Sequence, residues 1–178
     1  MTTREPAAVA TRAPSAVGGG EVSTSDAGHV VKELGESGGL VAADGETIVF
    51  ELTVEEVEER ATCPGRTGDV VRAENGAFVV LTVTAALDAS YAEIPGQGED
   101  PFMPLLAESF HLADSSGAEL PSHSDAAWLC FEEELARSFL DPGMETSGLI
   151  VLDGPAGAER VVFDPDGTGG WVWDLRAD

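Results

Sequence analysis

Apolar and polar residues alternate along much of this chain with a period of two. Ile48, Phe50, Leu52 and Val54 alternate with Val49, Glu51, Thr53 and Glu55, so one face is apolar throughout and the other turns polar. That is a half-buried strand, because successive strand side chains point to opposite faces. Val57 falls out of phase with Val54, and a bend or bulge near Glu55-Glu56 would restore it. A helical reading of Val54 to Arg60 ranks second: glutamates favour helix, but the run before it is β-branched. Ala77 to Leu87 is the strongest strand signal. Val79, Leu81, Val83 and Leu87 share one face, and the other runs from Phe78 and Val80 to Thr82 and Thr84. The turn dipeptide Asn75-Gly76 precedes it.

Shorter segments follow the same logic. His29 to Gly35 reads as a short first strand, and Phe110 and Leu112 flank His111 before the tight turn Asp114-Ser115-Ser116-Gly117. Leu135 to Leu140 alternates loosely before Asp141-Pro142-Gly143, and the apolar run Leu149 to Leu152 is stopped by Asp153-Gly154-Pro155. Val161 to Phe163 and Trp171 to Leu175 are the last strands, while Ser90 to Pro104 reads as a loop. Seven or so short strands with turn residues between them, and no βαβ alternation, predict an all-β sandwich.

Residues 1 to 28 are rich in Ala, Thr, Ser, Gly and Pro and offer little to bury, so they read as a flexible tail or linker. The sandwich domain is then expected over residues 29 to 178. Charge narrows the partners. With 33 acidic and 9 basic residues the formal net charge is −24, which disfavours nucleic acid and anionic lipid alike. No run approaches the roughly 20 apolar residues of a membrane span, so direct membrane insertion is not expected. Met1 to Gly20 holds no apolar core of a secretory signal. The chain is therefore either cytoplasmic or was preceded by an export or anchoring segment. The cysteines bear on that choice. Cys63 and Cys130 have no metal-type spacing, and a pair in a β-rich domain reads as one disulfide if the compartment is oxidising. The alternative is two unpaired buried thiols.

Several strings together, in order, resemble a family. These are Leu34-Gly35-Glu36, then Glu46 to Val54 with Val57-Glu58, then Gly76 to Thr84, then Phe110 to Gly117, then Leu140-Asp141-Pro142-Gly143 with Gly148 to Leu152. In this the chain resembles bacterial secreted or lipoprotein immunoglobulin-like domains of unknown function, the family that includes the mycobacterial immunoprotective extracellular antigen. The likeness spans about Leu34 to Leu175. It departs at Ala85-Ala86-Leu87-Asp88, where the family often has an Asn-rich turn. The resemblance implies an immunoglobulin-like antiparallel β-sandwich and an extracellular or cell-envelope location. It brings no catalytic residues with it.

Candidate chemistry is sparse. His29, His111 and His123 lack zinc-type spacing and read as surface histidines. Ser122-His123-Ser124-Asp125 sets hydrolase residue types side by side, whereas triad members meet through the fold rather than as neighbours. Glu55-Glu56, Glu58-Glu59 and Glu132-Glu133-Glu134 are paired acids of the kind a carboxylate-based hydrolase uses, but in a chain this acidic they read first as a solvated face. Asp164 and Asp166 in Asp-Pro-Asp-Gly-Thr-Gly are weak metal candidates for a calcium-dependent adhesion module, with a β-turn as the plainer reading. Trp171 and Trp173 share a strand face. They pack the core by default and are candidate ligand-contact aromatics if exposed. The expectation is a non-enzymatic exported domain without cofactor, which binds a protein or cell-wall component or serves a structural role.

Overall fold

The computed structural model describes residues 15–16, 23–94, 101–130, 135–165, 167 and 169–176. In chain order the strands are β1 Ser15–Ala16, β2 Val30–Lys32, β3 Gly38–Val41, β4 Ile48–Arg60, β5 Thr62–Pro64, β6 Val70–Arg72, β7 Ala77–Leu87, β8 Met103–Pro104, β9 Phe110–Ala113 and β10 Glu119–Leu120. A short helix, α1 Asp125–Leu129, precedes β11 Phe139–Leu140, β12 Glu145–Gly154, β13 Arg160–Phe163 and β14 Trp171–Asp174. Two five-stranded sheets make the sandwich. One has the order β1-β3-β4-β7-β12 and the other β10-β9-β13-β14-β2. The all-β expectation holds, and among the described residues the named strands pair antiparallel except in one place. β2 runs parallel to β14, matching Val30 to Trp171 and Lys32 to Trp173.

The alternation in the sequence selects the core. Phe50, Leu52 and Val54 of β4, Val79, Leu81 and Val83 of β7, and Leu152 of β12 face Phe110, Leu112, Val161, Phe163, Trp171 and Trp173 from the second sheet. These inner faces exclude water from apolar surface, which drives the two sheets together. Phe163 stacks on Trp171 with ring centroids 5.7 Å apart, and Phe110 lies 4.9 Å from Phe163. The bulge sits where the phase argument put it: the β4–β7 register shifts between Val54 and Glu56, so Val57 stays on the core side opposite Leu81. β4 continues as strand to Arg60, so the helical alternative is not realised.

β3 carries little apolar signal and is absent from the expected strands. Its sequence Gly-Gly-Leu-Val is shaped by packing. A Cβ at Gly38 would overlap the Trp171 indole, so glycine lets the sheet close over that ring. The segment expected as a tail contributes at two places. Ser15–Ala16 pairs with Gly38–Gly39 along the sheet edge, and Thr24 bridges to Val30 while the Val31 N–H donates to the Ser23 carbonyl at 2.8 Å. Main-chain hydrogen bonds need no apolar side chains, so composition gave no sign of them.

Candidate functional site

The first sheet is covered on its outer side over half its length. Phe78 and Val80 of β7 and Val151 of β12 point away from the sandwich core and pack with Cys63, Ala126 and Cys130. The cover consists of the β5–β6 hairpin and α1, and Cys63 and Cys130 are disulfide-bonded with Cα atoms 5.7 Å apart. The expected bridge is thus formed, joining the excursion after β4 to the one after β10. Beneath it Asp153 is completely buried. Its carboxylate accepts the Glu74 N–H at 2.8 Å, the Asn75 N–H at 3.0 Å and the Ser124 hydroxyl at 2.5 Å. One buried carboxyl group thereby fixes the turn before β7 and the start of α1.

This accounts for the Ser122-His123-Ser124-Asp125 string. Ser122 Oγ accepts the Leu112 N–H at 2.7 Å and donates to the Leu120 carbonyl. Ser124 caps α1 by accepting the Ala127 N–H at 3.0 Å. Ser122 serves the backbone, Ser124 the helix cap and Asp153, and no Ser–His hydrogen bond links them to His123 among those described. The glutamates of β4 are spread along the strand. Glu55 accepts the Thr84 hydroxyl at 2.8 Å, Glu58 pairs with Arg60, and Glu59 accepts the Gly157 N–H. Glu132, Glu133 and Glu134 lie outside the described residues.

His29 and His111 meet on the outer side of the second sheet, while the His123 carbonyl accepts the Asn75 amide N–H. His29 Nε2 lies 3.2 Å from Asp164 Oδ2, and the His29 and His111 rings are 6.4 Å apart. His111 is half-buried rather than a surface side chain, because it stands on β9, which is flanked by β10 and β13. Burial pushes its pKa below the usual histidine value, opposed in part by the charge of Glu119. Asp164 also accepts the Gly169 N–H at 3.3 Å, so it braces its own turn. Asp166, the other weak calcium candidate, lies outside the described residues. No group of three metal-ligating side chains occurs among the described residues.

Trp171 and Trp173 follow the default reading, and their alternative role as ligand-contact aromatics is set aside. They are 1% and 0% exposed and lie in the core, so they present no ligand platform. The strand alternation places both on the inner face, where Phe50 and Phe163 pack on Trp171. The exposed indole is Trp128 on α1, 72% accessible, with the Arg66 guanidinium 5.7 Å from its ring centroid.

The uncovered half of the first sheet's outer face holds a concave trough of about 360 Å³. Strand register builds it as two neighbouring rows. Glu51, Ala86 and Glu145 stand side by side on β4, β7 and β12. Thr53, Thr84 and Ser147 form the next row on the same strands. Ser37 extends that row, its Oγ 2.7 Å from Thr53 Oγ1. Thr53 is only 7% exposed, Thr84 is half-buried and Ser147 is exposed, so the hydroxyl row rises from the β4 side toward the β12 edge. Nothing in the sequence marks these residues as a group, because their alignment depends on the β4 bulge and on both strand registers. No helix among the described residues is long and apolar enough to cross a membrane.

No protein-family model matches the chain, and no curated protein matches it in sequence. Solved structures do match. A secreted protein from Mycobacterium tuberculosis, MPT63, aligns with a TM-score of 0.54 at 13% identity, over 82% of this chain and 97% of that one. A conserved hypothetical protein from Bacillus anthracis aligns with a TM-score of 0.41 at 20% identity, over 74% of this chain and 92% of its own. The likeness to the mycobacterial protein shows a shared β-sandwich fold.

Proposed function

We propose that this chain is a non-enzymatic exported domain of the extracellular space or cell envelope, related to the secreted immunoglobulin-like family its sequence resembles, and that it acts as a binding or structural module. The observation that carries the reading is the Cys63–Cys130 disulfide. Such bridges persist in oxidising compartments and are kept reduced in most cytoplasms. The fold shared with a protein described as secreted supports the same compartment. Ser122, Ser124, Glu55 and Asp164, which could have signalled catalysis, are engaged as a strand contact, a helix cap and turn braces, which supports a module that binds rather than reacts.

The test is to trap thiols in intact cells of the native host, fractionate them and recover the protein. The expected result is protein in the medium or envelope fraction, with a 63–130 cross-linked peptide under non-reducing mass spectrometry. Recovery from the cytoplasm with both cysteines alkylated overturns the reading.

A further inference from the structure

We propose that the trough on the open face of the first sheet is a binding site for linear aliphatic di- and polyamines. The argument starts from register. Glu51 and Glu145 flank Ala86 in one row, so the two carboxylates rise from strands two spacings apart, about 10 Å between backbones. Between them the sheet presents only the Ala86 methyl. Alongside runs a row of hydroxyls, Thr53, Thr84 and Ser147.

That surface has a chemical complement. A diammonium chain laid along the row puts one cationic end against each carboxylate. Its methylenes rest on the alanine methyl, and its remaining N–H groups reach the hydroxyl row. Charge-assisted hydrogen bonds at both ends are stronger than neutral ones. Two ends on one stem bind with the advantage of effective concentration over two separate monoamines. The Ser37–Thr53 pair shares one hydrogen bond, and its hydroxyl oxygens keep lone pairs that can accept an ammonium N–H. The wider field favours the same sign of ligand: a chain with a formal net charge of −24 concentrates cations at its surface and repels anions. The volume of about 360 Å³ suits a small molecule. The pair with a floor between them separates a site from a counterion cloud.

This deepens the reading of the chain as a binding module, yet it rests on the sheet face alone. Its test uses purified protein and can fail without touching the question of export. Cadaverine, spermidine and, as the monoamine control, pentylamine are titrated by calorimetry at physiological ionic strength, with backbone amide shifts followed by NMR. The expected result is saturable binding of cadaverine at least about tenfold tighter than pentylamine. Shifts should be confined to the strands around Glu51, Ala86 and Glu145. E51Q/E145Q should lower the affinity to the pentylamine level. Ala86→Leu, which fills the floor and keeps every charge, should do the same, while E56Q on the same strand outside the trough should leave binding unchanged. Equal affinity for cadaverine and pentylamine overturns the site, as does an E56Q loss as large as that of E51Q/E145Q. So does an Ala86→Leu protein that folds, by its amide spectrum, and still binds at full strength. Hexalysine binding more tightly than spermidine through the same residues would replace the small amine with a basic peptide and overturn the occupant proposed.

Discussion

Asp153 shows how one side chain can organise several elements. It is completely buried and answers two backbone N–H groups and one hydroxyl from two different segments. Asp153→Ala leaves the Glu74 and Asn75 N–H groups without their acceptor in a water-poor site. Each unsatisfied buried donor costs about 1–3 kcal/mol, so the loss is expected at roughly 3 kcal/mol in urea unfolding. An unchanged unfolding midpoint would mean the turn finds other partners. Gly38 carries a second prediction at this scale. Gly38→Ala pushes a methyl into the Trp171 indole, and overpacking of this kind costs about 1–3 kcal/mol. Thermal unfolding should shift downward by several degrees, together with a change in tryptophan fluorescence. The buried Lys32 makes the converse point. Its ammonium is satisfied by Glu36 Oε1 at 2.7 Å, and Glu36 stays below the ordinary carboxylate range although burial works the other way, because the Lys32 bond and charge and the Glu33 N–H outweigh it.

At the scale of elements, the disulfide ties the β5–β6 hairpin to the end of α1 across 67 residues of sequence. Closing a loop of that length removes denatured-state entropy worth about 4 kcal/mol on the chain-entropy model. The C63A/C130A double variant is expected to unfold at lower urea, with faster hydrogen exchange in β5, β6 and α1 than at Leu81 and Leu152. The cover is what the bridge holds, and the sandwich core lies on the other face of the same strands. Uniformly faster exchange in both layers would show that the bridge stabilises the whole fold rather than its cover. The same two layers explain what was legible in the sequence. β4, its bulge and β7 were readable because period-two alternation is a local property. β3, α1 and the cover were not, because they owe their place to distant partners: Gly38 to Trp171, Ser124 to Asp153, Cys63 to Cys130. The cysteine pair could be foreseen as a bridge, but its location outside the sheet could not. The trough was invisible for the same reason, since Glu51 and Glu145 are far apart in sequence and meet only through two registers.

For the whole molecule the governing quantity is charge, and it sets the response to acid. Near the sequence pI of about 4.1 the net charge vanishes, and with it the repulsion that keeps copies apart. Several folded carboxylates release their charge later than free ones. Asp44 is held at about 2 by the Thr47 hydroxyl and the Glu46 and Thr47 N–H groups, and Asp88 and Asp114 are lowered by serine hydroxyls and turn N–H groups. The folded protein therefore reaches zero charge at or just below the sequence value, and a turbidity maximum is expected there, reversible on return to neutral pH. Stability follows a different course. Between pH 7 and 5 the group with a shifted ionisation is His111. Its folded pKa is lowered, chiefly by burial, so the folded state favours the neutral ring. Its contribution is full above the unfolded value of about 6.5 and is lost as pH falls through the lowered folded value. The melting temperature should accordingly decline across this interval in the wild type. His111→Asn, which cannot gain a proton there, should flatten the decline while leaving the turbidity maximum in place. A decline of equal slope in both proteins would assign the acid sensitivity to another group. Movement of the turbidity maximum with the substitution would mean that solubility and folding are not separated in this molecule.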